Sequence, residues 1–225
     1  VYIDNNLPVP AAGNHEVLQV RFLTDTTFVL RFTRMSLKFS AGQHLIVGLK
    51  GEMDMREYSV YSGEGDDYLE ILVKEVKDGN VSLKLSGCKP GQVLDVNGPF
   101  GTFGIEPFDL YKKKHVFIAT GTGISPFHSL VRSNPDIDYT LIHGVRFADE
   151  AYEKNDFAPE RYTLCTSKEK TSGRKGRVTG FVSDFRVTPE MLFYLCGNGG
   201  MIYEVYHILR DKGIAPERII SERYF

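Results

Sequence analysis

The hydrophobic pattern of this chain changes period near residue 107, which limits it to folds built from two dissimilar halves. From residue 15 to about 105, apolar side chains recur at alternate positions: Phe28, Leu30 and Phe32 alternate with Val29 and Arg31, and Leu69, Ile71 and Val73 with Glu70, Leu72 and Lys74. Period two is the mark of half-buried antiparallel strands. Turn clusters at Lys50-Gly51-Glu52, Gly63-Glu64-Gly65-Asp66-Asp67 and Lys89-Pro90-Gly91 separate these strands, and one short helix is expected over residues 81–86, after Asp78-Gly79-Asn80. Short strands punctuated in this way suit a small antiparallel barrel.

Beyond Ile105-Glu106-Pro107 the pattern becomes that of strands alternating with helices. Compact apolar runs at 115–119, 139–143, 162–166 and 192–196 are separated by helical or polar stretches, as in a parallel α/β sheet. A helix is expected over 125–131, with Ile124, Phe127, Leu130 and Val131 at helical spacing. The clearest helix covers 198–212, where Met201, Ile202, Val205, Ile208 and Leu209 form one core stripe and Gly213 terminates it. The expected domains are therefore 1–107 and 108–225.

Composition narrows the function classes. A chain of 225 residues, 42% hydrophobic and 25% charged, can bury a core in one or two domains without disulfides or a structural metal. No apolar run approaches the roughly 20 residues that cross a bilayer. The opening Val1-Tyr2-Ile3-Asp4-Asn5-Asn6 has no basic flank or apolar stretch, so a cytoplasmic protein without membrane contact is expected. Cys88, Cys165 and Cys196 are too few and too far apart for a zinc ribbon or an iron–sulfur cluster, and the histidines at 15, 44, 115, 128, 143 and 207 show no ligand spacing, so no metal is expected. A net charge of −2 argues against nucleic acid. Residues 161–178, however, carry Arg161, Lys168, Lys170, Arg174, Lys175 and Arg177 against Glu169 alone, which reads as a solvated face or an anion site.

Two segments carry chemistry. In Arg56-Glu57-Tyr58-Ser59-Val60-Tyr61-Ser62, alternation puts Arg56 and Tyr58 on one strand face and leaves Ser59 at the strand end. A cation, a phenol and hydroxyls in that order suit a flavin nucleotide, although a strand with an exposed Arg and a packed Tyr would read the same. The turn Gly79-Asn80-Val81-Ser82 favours the flavin, because a glycine turn into a helix can offer backbone N–H groups to a pyrophosphate. In Thr120-Gly121-Thr122-Gly123-Ile124-Ser125-Pro126, two glycines between strand and helix allow close approach to a dinucleotide, and Pro126 fits the first helical turn. A tight strand–helix connection is the plain alternative, and Pro126 stands where the common G-x-G-x-x-G fingerprint has its third glycine.

Taken in order, these motifs resemble those of the ferredoxin–NADP reductase family, bacterial ferredoxin/flavodoxin reductases in particular. R-x-Y-S/T-x-x-S matches Arg56, Tyr58, Ser59 and Ser62; G-x-x-S/T matches Gly79 and Ser82; G-T-G-I-A/S-P matches 121–126. C-G-x-x-x-M matches Cys196, Gly197 and Met201, and the acidic-aromatic ending matches Glu222-Arg223-Tyr224-Phe225. The resemblance implies a Greek-key β-barrel FAD domain followed by a Rossmann-like NADP domain. It implies that Arg56, Tyr58, Ser59, Ser62, Val73, Gly79, Val81 and Ser82 hold FAD, with Ser59 near flavin N5. It places Thr120, Gly121, Thr122, Gly123, Gly197 and Met201 at the NADP site, Cys196 beside nicotinamide C4, and Glu222 as the partner of Ser59. Tyr224 would stack on the flavin where nicotinamide must enter, and Phe225 would extend the aromatic tail.

NADP is favoured over NAD because a 2′-phosphate needs cations and hydroxyls. Ser167 and Lys168 follow a strand, Arg177 lies nine residues later, and Arg146 follows His143-Gly144-Val145. Lys168 departs from the family's usual arginine and offers a point charge in place of a planar fork. The implied activity is hydride transfer between NADP(H) and FAD with single electrons passed to or from ferredoxin or flavodoxin, in a monomer. The alternatives are a flavin reductase using free flavin as substrate and the reductase component of a multi-protein oxygenase.

Overall fold

The computed structural model describes residues 11–77, 79–169 and 173–224. Asp78 before the short helix, Lys170 of the basic run and Phe225 lie outside the described residues. The chain divides into two compact units.

The first unit takes the residues up to Gly104 together with His128–Ser133. Its strands are β1 (Ala11–Thr24), β2 (Thr27–Thr33), β3 (His44–Leu49), β4 (Arg56–Ser59), β5 (Tyr68–Lys74) and β6 (Val93–Phe100), with helix α1 (Asn80–Ser86) between β5 and β6. Every pairing is antiparallel, in the order β4-β3-β6-β1-β2-β5. The return of β6 to lie between β3 and β1 is a Greek-key connection. A bridge from Val60 to Ile71, beside the Tyr61 N–H bond to the Glu70 carbonyl (2.7 Å), joins the two ends of the sheet and closes the barrel. Val17, Leu30, Phe32, Leu45, Ile71 and Val96 are buried in its interior.

Strand β5 departs from simple alternation. Glu70 was expected on the solvent face of β5 but is 3% exposed. Its cross-strand neighbour Arg31 pairs with it at 2.8 Å, and the Arg31 guanidinium lies 3.8 Å from the centre of the Tyr68 ring. A buried carboxylate is tolerable only when it is paired and hydrogen-bonded in this way. His128–Ser133 belongs to this unit through specific bonds: the His128 ring stacks on Tyr61 (3.8 Å, 8°), Ser129 donates to the Ser62 carbonyl (2.7 Å), and Arg132 pairs with Asp66 (2.7 Å).

The second unit holds β7 (His115–Thr120), β8 (Tyr139–Val145), β9 (Tyr162–Thr166), β10 (Arg174–Lys175), β11 (Leu192–Asn198) and β12 (Ile219–Tyr224). The helices are α2 (Ser125–Ser133), which groups with the first unit from His128 onward, α3 (Val178–Asp184) and α4 (Gly199–Asp211). All strands are parallel, in the order β10-β9-β8-β7-β11-β12. The chain thus builds outward from β7 in one direction and then returns to build in the other, so β7 and β11 flank a topological switch point. In open parallel sheets, ligands bind beyond the carboxyl ends of the strands at such a point.

Helix α4 starts after Asn198, whose side-chain oxygen accepts the N–H groups of Gly200 (3.0 Å) and Met201 (3.2 Å), so Asn198 is its cap. The ending 219–224, read from sequence only as a tail, is a strand that completes the sheet edge. Among the described residues, no helix is long and apolar enough to cross a membrane.

Candidate functional site

The switch point is made by close packing of two glycine turns. Thr120 ends β7 and Gly121 follows with φ +54°, opening a single 3-10 turn, Gly121–Ile124, that runs into α2. A Cβ on Gly123 would stand 2.4 Å from the Cys196 carbonyl oxygen, and one on Gly197 would stand 2.4 Å from Thr120 Oγ1. Gly197 also has φ +125°, a conformation that L side chains avoid. Both glycines are therefore required by the approach of one backbone to the other. Thr120 adds a lock by accepting the N–H of Asn198 at 2.9 Å.

Cys196, Glu222 and Tyr224 meet at this end of the sheet. Cys196 is opposite Glu222 in the parallel register, and Asn198 is opposite Tyr224. The Cys196 thiol is fully buried and pushed well above its ordinary pKa, first by burial and then by the Glu222 carboxylate, while a hydrogen bond with Tyr224 opposes the rise. Cys196 is therefore a neutral thiol and not a thiolate nucleophile. Gly197 follows it in the chain, and Met201 is buried in the first turn of α4, in the core with Phe193 and Leu195 of β11.

A second cluster lies across β8 and β9. The N–H of Ser167 bonds the Val145 carbonyl (3.0 Å) and that of Lys168 bonds the Arg146 carbonyl (3.0 Å), extending the ladder past the strand ends. Arg146, Ser167 and Lys168 are thereby brought together with exposed side chains. The N–H of Gly176 bonds the Thr166 carbonyl (2.8 Å), which brings the segment leading to Arg177, the residue preceding α3, alongside. Of the other cations in the basic run, Arg161 donates to the Ile137 carbonyl and Arg174 pairs with Asp184, so both serve the fold.

Sequence reasoning missed the groups that hold this cluster. The Glu150 carboxylate accepts the N–H groups of Arg146 (2.8 Å) and Phe147 (3.2 Å), and the Glu169 carboxylate accepts that of Ala148. His143 was also missed, beyond its place in the histidine count. It is fully buried on β8, with Nε2 2.9 Å from the Gly121 carbonyl and Nδ1 2.8 Å from the Tyr162 hydroxyl. Their partners are distant or across strands, so no local spacing marks them.

In the first unit, Arg56 and Tyr58 share a face of β4: burial pushes the Tyr58 phenol up to about 12, and the Arg56 charge opposes that rise. Ser59 closes the strand at 3% exposure. Ser62 is fully buried with its hydroxyl accepting the Glu70 N–H (3.1 Å), and Val73 and Val81 are buried in the core. Gly79 is the N-cap of α1, where a Cβ would stand 2.9 Å from Val76 Cβ and 3.0 Å from Ser82 Oγ. Ser82 in turn accepts the Val76 N–H at 3.1 Å. The residues at both ends thus fit their expected groups: a glycine-lined approach and a cation cluster for a dinucleotide, an arginine–phenol face beside a tight glycine turn for a flavin.

Residues 19–105 match the family described as Oxidoreductase FAD-binding domain, and residues 117–207 match Oxidoreductase NAD-binding domain. A ferredoxin–NADP reductase of Azotobacter vinelandii is 37% identical over 149 residues, covering 61% of this chain and 57% of that one. The chain thus spans between a half and two thirds of that relative's length. A probable dihydroorotate dehydrogenase B (NAD(+)) electron transfer subunit of Methanopyrus kandleri is 29% identical over 225 residues, covering 96% of this chain and 80% of that one. The solved structure of a ferredoxin NADP+ reductase from Neisseria gonorrhoeae with bound FAD and NADP shares the fold, with a TM-score of 0.86 at 24% identity, covering 95% of this chain and 99% of that one.

Proposed function

The chain belongs to the ferredoxin–NADP reductase family of FAD- and NAD(P)-binding oxidoreductases, and we propose that it moves hydride between NADP(H) and FAD and single electrons to or from ferredoxin or flavodoxin. The observation that carries this reading is the gathering of Cys196, Glu222 and Tyr224 beside the glycine turns at the β7–β11 switch point. Bound FAD would supply the exchange of a hydride for two single electrons.

The chain's own residues would do the rest. Arg56 would neutralise the flavin pyrophosphate, Tyr58 would cover the ring, and the turn holding Gly79 and Ser82 would offer backbone N–H groups. Val73, Val81 and Ser62 would shape the barrel side of the site. The neutral Cys196 thiol offers a small, polarizable surface for nicotinamide without competing as a nucleophile. Glu222 would hold a proton at the nicotinamide site, and Tyr224 would exclude water until nicotinamide displaces it. Arg146, Ser167, Lys168 and Arg177 suit a 2′-phosphate, which favours NADP over NAD. We place the boundary between the two cofactor domains near residue 107 and expect a cytoplasmic monomer.

Purified protein should be yellow, carry about one FAD per chain and bleach on addition of NADPH. A colourless protein that reduces added flavin and releases it would instead make it a flavin reductase. Turnover with ferredoxin against flavodoxin then assigns the acceptor. Failure with both, alongside rapid bleaching, would favour a reductase component of a larger assembly, a reading that the likeness to an electron transfer subunit supports.

A further inference from the structure

We propose that His143, held by Tyr162, locks the Gly121–Thr122 peptide in the one orientation that aims its N–H at the phosphates of a bound dinucleotide. The proposal rests on the dinucleotide site proposed above and adds positioning residues to it.

The argument starts from what each atom can do. The Gly121 carbonyl can only accept, so the bond of 2.9 Å to His143 Nε2 requires the proton to be on Nε2. A buried, neutral imidazole with Nε2–H has a bare Nδ1, which can only accept. The Tyr162 hydroxyl, 2.8 Å away, must then be the donor. The chain Tyr162 Oη–H to His143 Nδ1, and His143 Nε2–H to the Gly121 carbonyl, runs in one direction across β9, β8 and the turn after β7. Its imidazole has no exposure to solvent, so water cannot replace either partner.

The consequence lies on the other side of the peptide plane. In a trans peptide the C=O and the following N–H point in opposite directions. Fixing the Gly121 carbonyl down onto β8 turns the Thr122 N–H outward, away from the sheet. The next peptide is fixed as well, because the Thr122 carbonyl accepts from both the Ser125 hydroxyl (2.7 Å) and the Ser125 N–H. The Thr122 N–H is thus oriented before any ligand arrives, at the entry to α2. Without the lock, Gly121 would be the weak point: at φ +54°, with nothing within 4 Å of its would-be Cβ, only the intra-turn bond of the 3-10 helix resists rotation of the peptide. His143 and Tyr162 supply the restraint that glycine lacks.

The pyrophosphate is common to NADP and NAD, so the lock should affect both alike, unlike the cation cluster. In the FAD-loaded protein, His143→Leu should raise the Kd for NADP+ and for NAD+, measured by calorimetry, by a similar factor of about tenfold or more. Tyr162→Phe should raise both by less, and His143→Gln, which keeps a donor, should recover part of the loss. FAD content should not change. An independent readout needs no substitution: 15N NMR of the unmodified protein should show His143 protonated at Nε2 and bare at Nδ1. Unaltered affinity in folded His143→Leu, a loss confined to NADP+, or an Nδ1–H tautomer would each overturn the proposal. If the unmodified protein bound neither dinucleotide, the reading above would fail and the phosphate half of this one with it, while the tautomer would still decide the lock itself.

Discussion

Replacing Gly123 with alanine separates two reasons for having glycine in one turn. Gly123 is not among the residues of positive φ, so alanine meets no conformational penalty there. Its Cβ would nonetheless stand 2.4 Å from the Cys196 carbonyl oxygen and 2.7 Å from Gly197 Cα, whereas real Cβ contacts do not fall below 3.0 Å. The two backbones must then part by at least 3.0 − 2.4 = 0.6 Å. Neither is free to move, since Cys196 is laddered between Ala119 on β7 and Glu222 on β12. Overpacking of this kind costs about 1–3 kcal/mol. The same displacement carries Cys196 and Glu222 with it, and misplacement of binding groups on this scale weakens dinucleotide affinity on the order of tenfold. Gly121→Ala is the control: its Cβ meets nothing within 4 Å, so its cost is the left-handed backbone penalty of about 1 kcal/mol. Urea unfolding with a shared slope gives the stabilities, and titration with NADP+ gives the affinities. The reasoning is refuted if Gly123→Ala matches the unmodified protein in both, or if Gly121→Ala is the more damaging of the two.

If Tyr224 occupies the nicotinamide position, as proposed, replacing it with Ser should tighten nicotinamide nucleotide binding by roughly three- to tenfold; unchanged affinity for both nucleotides would take Tyr224 out of the site. Removing Lys168 and Arg177 together should raise KM for NADPH roughly tenfold or more while leaving KM for NADH nearly alone, and equal effects would count against a 2′-phosphate site. Burial holds the His143 imidazole down at about 4, against 6.5 in an open chain, with Glu150 facing it as a weak opposing charge and the rings of Tyr152 and Tyr162 against it. Above pH 6.5 neither state is protonated and the full stability is present. Between 6.5 and 4 only the unfolded chain takes the proton, so stability falls as acid is added, by about 2 kcal/mol from pH 7 to pH 5. Urea unfolding of His143→Gln beside the unmodified protein should show that extra loss only in the latter; parallel pH profiles would mean that His143 titrates normally.

The period change near residue 107 was enough to separate a barrel from a parallel sheet, because alternation and helical spacing are local signals and each half buries its core by one of them. The runs at 162–166 and 192–196 fall within β9 and β11 for that reason. What sequence could not show were features decided by a distant partner. Glu70 reads as a solvent-facing residue until Arg31 and Tyr68 are placed beside it. The segment 219–224 has two adjacent isoleucines followed by polar residues, a pattern of neither period, and becomes a strand only because β11 presents an open edge. Arg146 and Lys168 were legible as cations, but the Glu150 and Glu169 carboxylates that hold the loop beneath Arg146 were not, since each acts through backbone N–H groups that carry no residue identity.

The edge strand β12 works as a ruler. It contributes Glu222 and Tyr224 to the site through its register, Cys196 opposite Glu222 and Asn198 opposite Tyr224, along six residues paired on one side only. Side chains alternate between the faces of a sheet, so a slip of one position would turn Glu222 and Tyr224 away and bring Ser221 and Arg223 round in their place. The connection from Gly213 to Arg218 therefore sets which residues face Cys196. A single deletion there, touching nothing at the site, would rewrite its chemistry while leaving every motif in the sequence intact.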